Sequence, residues 1–294
     1  MKLQRLVIVG VGLIGGSLAL ALKQAGVVAE VVGVGRSQAN LDEALRLGVI
    51  DRAATVEEAV PGADVVLLAT PVAQMESLLR QMAPLLTGNT VITDGGSTKQ
   101  DVIAAAHAAI PGHLARFVPA HPIAGAEKSG AAAASASLYQ QRQVVLTPMP
   151  ECDPAAVAQV EAMWARTGAQ VRRMSPLQHD AIFATVSHLP HLLAYALVSE
   201  VASRANAAEL FDFAASGFRD FTRIASSSPE MWRDIALANR TALLTELQAY
   251  QRKLVELESL LEKSDGDGLC ALFSGARNAR DQWLEQKPGL REKK

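Results

Sequence analysis

The feature that most restricts the fold lies within the first twenty-four residues. Leu6-Val7-Ile8-Val9 is a short apolar run rich in β-branched residues. Gly10-Val11-Gly12-Leu13-Ile14-Gly15 follows it directly and leads into the helical pattern Ser17–Gln24. In a strand, G-x-G-x-x-G turn and helix of this order, Gly10 permits the tight turn and Gly12 lets a pyrophosphate approach the backbone. Gly15 lets helix and strand pack closely. The anion then sits on the helix N-terminus, where free N–H groups and the helix dipole favour it. Gly10, Gly12, Leu13, Ile14 and Gly15 are therefore the expected cradle of a dinucleotide. Lys2 and Arg5 ahead of the apolar stretch Leu6–Leu22 also have the outline of a signal peptide. Gly10, Gly12, Gly15 and Gly16 break that stretch, and their spacing has the better use just given.

The alternation continues over about 170 residues. Strands are expected at Leu6–Val9, Val31–Val34, Val65–Ala69, Val91–Thr93, Phe117–Pro119 and Val144–Leu146. Helices are expected at Ser17–Gln24, Leu41–Leu47, Val72–Leu86 and Gln100–Ala109, with Gly48 and Gly88 at helix stops. Such alternation predicts an α/β class, with an N-terminal Rossmann-like doubly wound, mostly parallel sheet. After Val171 the pattern becomes helical. Ser175-Pro176-Leu177-Gln178 is a helix start, with Ser as cap and Pro at the first position, and Ser228-Pro229 is another. The second helix is expected to run to about Lys263, and within it Leu243, Leu247, Tyr250, Leu254, Leu257 and Leu261 form a heptad seam. That seam suits packing inside a bundle or between two copies of the chain. The expected division is a dinucleotide-binding domain at 1–172, an all-α substrate and dimerisation domain at 173–286, and a disordered charged tail at 287–294. Ala131–Ser137 reads as a loop or short helix, and no transmembrane helix is expected.

Composition narrows the partners. Lys plus Arg number 28 against 30 Asp plus Glu, a net charge of −2, which excludes a basic footprint for nucleic acid or an anionic membrane. The two cysteines, Cys152 and Cys270, make neither a disulfide framework nor a Cys-rich metal site, and fit a reducing cytoplasm.

Cofactor choice turns on the end of the second strand. An Asp or Glu about 20 residues past the fingerprint would take the ribose 2′-hydroxyl of NAD, but Gly35-Arg36-Ser37 stands there. A guanidinium and a hydroxyl suit a 2′-phosphate, so NADP is the expected cofactor, with NAD possible. Arg36 stacking on adenine would admit both. Thr70-Pro71 ends a strand at the sheet's carboxyl edge, where ligands bind in such folds. His121, at another strand end, suits an acid–base partner in hydride transfer, and Ser97 at the neighbouring strand end could hydrogen-bond it.

Five segments in order carry a resemblance. These are Gly10–Ser17 (GVGLIGGS), Asp94–Lys99 (DGGSTK), His121–Gly130 (HPIAGAEKSG), Ser187–His191 (SHLPH) and Ser216–Ala225 (SGFRDFTRIA), the last followed by Met231-Trp232. Over roughly residues 5–285 the chain resembles the prephenate/arogenate (cyclohexadienyl) dehydrogenases of tyrosine biosynthesis. The resemblance implies that His121 draws the ring-hydroxyl proton as hydride leaves that carbon, and that Ser97 orients His121 and touches substrate and cofactor. It implies that Arg223 holds a substrate carboxylate, that His179, His188 and His191 line the pocket, and that Glu127 gates it or hydrogen-bonds within it. Arg219 and Trp232 are expected to reach the pocket, from the same chain or from a partner in a homodimer. Substrate would be prephenate, with arogenate as second or joint substrate. Each residue also has a plainer use: His179 in a first helical turn, Trp232 in a core, Arg219 with Asp220 as a surface ion pair. No metal is expected, because His188 and His191 lack an acidic or Cys partner at fitting spacing.

Two other readings compete. A β-hydroxyacid or imine reductase would place a catalytic Lys on the first long helix of the second domain, yet Ala181–Glu200 contains none. A non-catalytic dinucleotide sensor would need the glycines but not Ser97, His121 and Arg223 together.

Overall fold

The structure, a computed structural model, describes residues 2–125 and 130–286. The expected tail at 287–294 lies outside the described residues. Six parallel strands form the main sheet: β1 (Leu3–Val9), β2 (Val28–Val34), β3 (Arg52–Ala53), β4 (Val65–Leu68), β5 (Val91–Asp94) and β6 (Phe117–Val118). Their order is β3-β2-β1-β4-β5-β6, so the strand sequence reverses between β1 and β4, the switch point at which doubly wound sheets open a ligand crevice. Leu6, Val7, Ile8, Val65, Val66, Leu67 and Ile92 are fully buried, which explains why these strands are continuous apolar runs rather than alternating ones.

The crossovers include α1 (Leu13–Gln24), α2 (Gln38–Arg46), α3 (Val56–Ala59), α4 (Met75–Met82) and α5 (Gln100–Ala109). Gly48, at φ +68°, ends α2 in the left-handed turn expected of it, whereas Gly88 lies beyond the 3-10 turn Ala83–Leu85 and has no positive φ. Thr55 closes a capping box with Glu58 at α3; neither β3 nor α3 was anticipated from the sequence.

The sequence reading placed all strands in one sheet. Instead Pro119 turns the chain out of β6 into a second sheet of three, β7 (Ala120–Pro122), β8 (Gln143–Leu146) and β9 (Gln170–Arg173), with β7 antiparallel to β8 and β8 parallel to β9. His121 thus sits within a short strand, paired with Val145, rather than at a free strand end. Between β8 and β9, α6 (Pro154–Ala165) is capped by Asp153.

The remaining chain is helical: α7 (Pro176–Phe183), α8 (Leu189–Ala202), α9 (Ala207–Asp212), α10 (Ser216–Thr222), α11 (Pro229–Ala238), α12 (Arg240–Glu262) and α13 (Gly266–Gln286). Ser175 and Ser228 cap α7 and α11 through the N–H groups of Gln178 and Met231, as their sequence positions predict. The helix expected from Ser228 to Lys263 is broken at Asn239, whose side chain turns inward to the carbonyl of Asp180 (2.8 Å) and the ring of His188 (3.1 Å). A π-helical turn, Ala184–His188, joins α7 to α8. It accommodates Pro190, which has no N–H to give to the helix. The continuous run Pro176–Ala202 is long and apolar enough to cross a membrane by length and composition, which the sequence reading did not pick out. It carries buried His179 and Asp180, the latter hydrogen-bonded to the start of α5, while Leu177 and Val186 on the same run are exposed.

The chain divides into two compact units at Leu243/Leu244. The helices from residue 176 to 243 therefore belong to the same compact unit as the sheets.

Candidate active site

At the nucleotide end, Gly10 has φ +98°, and a Cβ there would meet the carbonyl oxygen of Ala69 at 2.5 Å. A Cβ on Gly15 would meet the Gly10 carbonyl oxygen and Ile8 Cγ2, both at 2.5 Å, whereas one on Gly12 would meet nothing within 4 Å. Two glycines are therefore required by packing and the third by empty space, the arrangement a pyrophosphate needs. No side chain caps α1, whose N-cap is Gly12, so the first-turn N–H groups, those of Leu13 and Ile14 among them, are open to an anion. Thr70 Oγ1, beside Gly10, is buried with no hydrogen-bond partner among the described residues. These residues fit a dinucleotide. Arg36 and Ser37 are exposed in the turn after β2, and Ser37 Oγ accepts the N–H of Asn40 to cap α2. Pro71 opens the turn Val72–Gln74. Sequence reasoning missed Asn40: its amide donates to the Val11 carbonyl (2.7 Å) and its oxygen accepts from Ala131 N (2.9 Å), tying the glycine turn to the loop after the second sheet's first strand.

At the chemical end, β5 and β7 are locked by a buried ion pair. Lys99 Nζ contacts Asp94 Oδ2 and donates to the Ala120 carbonyl (2.7 Å), while Asp94 accepts from Ala120 N (3.0 Å) and Gly96 N (2.8 Å). Both side chains are fully buried. Their bonds fix the residue immediately before His121.

His121 Nδ1 lies 2.8 Å from His179 Nε2, and His179 Nδ1 lies 2.8 Å from Asp180 Oδ1. Phe183 flanks both rings, at 4.9 Å from His121 and 4.5 Å from His179 between centroids. Burial, then the neighbouring His179, Lys99 and His188, holds His121 well below the ordinary histidine range. Burial also lowers His179 against the opposing pull of Asp180. Both rings are therefore neutral at neutral pH.

Two expectations change here. The partner of His121 Nδ1 is His179; among the described residues no hydrogen bond joins Ser97 to His121, and the half-buried Ser97 has its backbone beside the His188 ring. His179 was expected to line the pocket, but His121 and Asp180 occupy both of its nitrogens, which puts it behind His121.

A second group of rings is tied to the first through Asn239. The Asn239 amide donates to His188 Nδ1, so Nε2 of that ring carries the proton. Burial lowers His188 to about 4. His191 stacks on Trp232 with centroids 3.6 Å apart and donates from Nδ1 to the Ser187 carbonyl. Trp232 is buried with its Nε1 unpartnered among the described residues, and it belongs to the same chain as the histidines it touches. The charge of Arg223 acts on His191. Arg219 is exposed beside Asp220 at 3.4 Å, the surface ion pair of the plainer reading. Glu127 lies outside the described residues. Asp180, Asp94 and Lys99 carry the geometry yet had no role assigned; the signal was a carboxylate directly after His179 and opposite charges bracketing the Gly-Gly-Ser-Thr loop.

The family models give the same picture. The model described as prephenate dehydrogenase, nucleotide-binding domain, matches residues 18–173, and that described as prephenate dehydrogenase, dimerization domain, matches 175–275. The prephenate dehydrogenase of Bacillus subtilis is 39% identical over 94% of this chain and 75% of its own length. The cyclohexadienyl dehydrogenase of Zymomonas mobilis is 36% identical over 94% and 95%. The crystal structure of prephenate dehydrogenase from A. aeolicus, in complex with hydroxyphenyl propionate and NAD+, superposes with a TM-score of 0.89 at 33% identity, covering 96% of this chain and 99% of that one. Sheet order, glycine cradle, buried histidines and these likenesses lead to one conclusion: the chain belongs to the prephenate dehydrogenase family, NAD(P)-dependent oxidoreductases that oxidise and decarboxylate prephenate or arogenate.

Proposed function

We propose that this chain acts on prephenate in preference to arogenate, uses NADP in preference to NAD, and employs His121 as the proton acceptor. The observation that carries the last point is the half-buried, neutral His121 ring, engaged at Nδ1 by His179. Its other nitrogen, Nε2, is the one left to meet a substrate hydroxyl. When bound on the glycine cradle, the dinucleotide supplies the hydride acceptor. As the ring C–H leaves as hydride, His121 takes the hydroxyl proton. The ring carboxylate departs as CO2, its bonding electrons make the ring aromatic, and His121 returns the proton to the phenolic oxygen. No net proton is consumed or released.

Arg223, near His191, is the proposed partner of a substrate carboxylate, for which its planar fork suits better than Lys. The unpartnered N–H of buried Trp232 supports an acceptor-rich ligand there. Ser97 remains a proposed contact to substrate and cofactor. Arg36 and the hydroxyl of Ser37 support recognition of a 2′-phosphate, since Ser37 accepts from Asn40 N and keeps its own proton to donate.

The test is absorbance of reduced nicotinamide with prephenate and arogenate in turn, each with NADP and NAD. Turnover with prephenate and NADP well above the other three combinations is expected. His121→Asn should lower kcat by roughly 10²- to 10⁴-fold while dinucleotide affinity is kept. Arg36→Ala should lower kcat/KM for NADP at least about tenfold, the loss of one charge-assisted contact, with little change for NAD. Faster turnover with NAD by the unaltered enzyme would overturn the reading of Arg36.

A further inference from the structure

We propose that Asp180, acting through His179, fixes His121 in the Nδ1–H tautomer and so turns a lone pair on Nε2 toward the substrate. Asp180 and His179 are then positioning residues; the proposal rests on the reading of His121 as proton acceptor. Asp180 is 1% exposed and spends both oxygens inside the protein. Oδ1 accepts from Lys99 N at 2.8 Å, and Oδ2 from Gln100 N at 2.9 Å, the two N–H groups at the start of α5. A carboxylate receiving those bonds is ionised and can only accept, so the His179 nitrogen 2.8 Å from Oδ1 must be a donor. His179 is then Nδ1–H, and the Nε2 it presents to His121 is an acceptor. The 2.8 Å contact between the two rings therefore requires the proton on His121 Nδ1.

The reverse arrangement would aim a bare His179 nitrogen at a buried carboxylate, placing two lone pairs face to face. The His188 ring has the opposite setting. The Asn239 amide donates to His188 Nδ1 and to the Asp180 carbonyl, so His188 carries its proton on Nε2. Residues 180 and 239 thus set two neutral histidines as one acceptor and one donor. This assigns Asp180 a second task beside capping α5, and it explains why a charge is buried where a neutral cap would have sufficed. Once His121 holds the substrate proton, the same chain of bonds lets the imidazolium lean on the Asp180 charge.

The test reads the tautomer directly. Protein labelled with 15N in its six histidines gives distinct long-range proton–nitrogen patterns for the two neutral forms, and His121→Asn identifies which signals are His121. The expected wild-type pattern is Nδ1–H for His121 and Nε2–H for His188. In Asp180→Asn the single His121 pattern should be lost. His179→Phe leaves the α5 cap untouched and keeps ring packing on Phe183; it should release His121 to the Nε2–H form and lower kcat roughly 10²-fold with KM changed less than about threefold. An Nε2–H pattern on His121 in the unaltered enzyme overturns the proposal, and so does an unchanged kcat in His179→Phe. A correct wild-type tautomer in a protein that turns over neither prephenate nor arogenate leaves the relay standing and removes the reaction assigned to it.

Discussion

Gly12 and Gly15 lie three residues apart and do opposite things. A side chain at Gly15 collides with backbone and with Ile8, while one at Gly12 enters open space. Gly15→Ala should therefore lose about 1–3 kcal/mol of stability, as overpacked sites do. Gly12→Ala should leave the thermal midpoint within a degree or two but weaken dinucleotide binding at least about tenfold, because its methyl occupies the volume a pyrophosphate needs. Calorimetry and titration of binding fluorescence separate the two; equal effects in both assays would contradict the division. This site was legible in the sequence because it is made by adjacent residues whose backbone geometry demands glycine. The link from His121 to His179 to Asp180 was not. It joins positions 58 apart and then hands over to the next residue of a helix, and no local pattern marks which of six histidines will face which.

At the scale of elements, the sequence disclosed what periodicity controls and concealed what side chains decide at joints. The buried parallel strands followed from their apolar runs, and α7 and α11 from Ser-Pro starts. The break between α11 and α12 was hidden, because its cause is a polar contact from Asn239 to Asp180 and His188 rather than a helix-breaking residue. The split into two sheets was hidden for a similar reason. The turn at Pro119 is held by Asp94 and Lys99, which close from β5 onto Ala120. Replacing Lys99 with Met removes one partner and leaves Asp94 buried and uncompensated, which costs about 3–5 kcal/mol. Lys99→Met should thus unfold at markedly lower denaturant. Joint replacement Asp94→Leu with Lys99→Met should recover part of that stability, because no unpaired charge remains. Both variants should lose activity even where folded, since the position of His121 depends on those bonds. A Lys99→Met protein of wild-type stability would show that the pair is not held dry.

Across the whole molecule, the heptad seam and the buried histidines make separate demands. Tyr250, Leu254 and Leu261 are 36%, 47% and 64% exposed in the single chain. Residues 175–275 match a dimerization-domain model, so an exposed leucine seam there is expected to be covered by a second copy. Leu254→Glu combined with Leu261→Glu should convert the protein from dimer to monomer in light scattering; a dimer that persists would place the contact elsewhere. The histidines set the response to acid. His121, His179 and His188 all have folded-state values below the ordinary 6.5, chiefly through burial. A base whose value is lowered by folding takes up protons more readily when unfolded, so stability rises with pH through this range. The contribution is complete above about pH 6.5 and is lost as pH falls toward the folded-state values. For His188, lowered to about 4, it amounts to about 3 kcal/mol, at about 1.4 kcal/mol per unit. The denaturant midpoint should therefore fall steadily from pH 6.5 to 4, and His188→Asn should flatten that slope by about one proton. Asp180, whose value burial raises but whose bonds from His179, Gln100 and Lys99 bring below 3.8, adds stability of the same sign that is lost only at still lower pH. A midpoint independent of pH between 6.5 and 4 would mean that these rings are not held neutral by the fold.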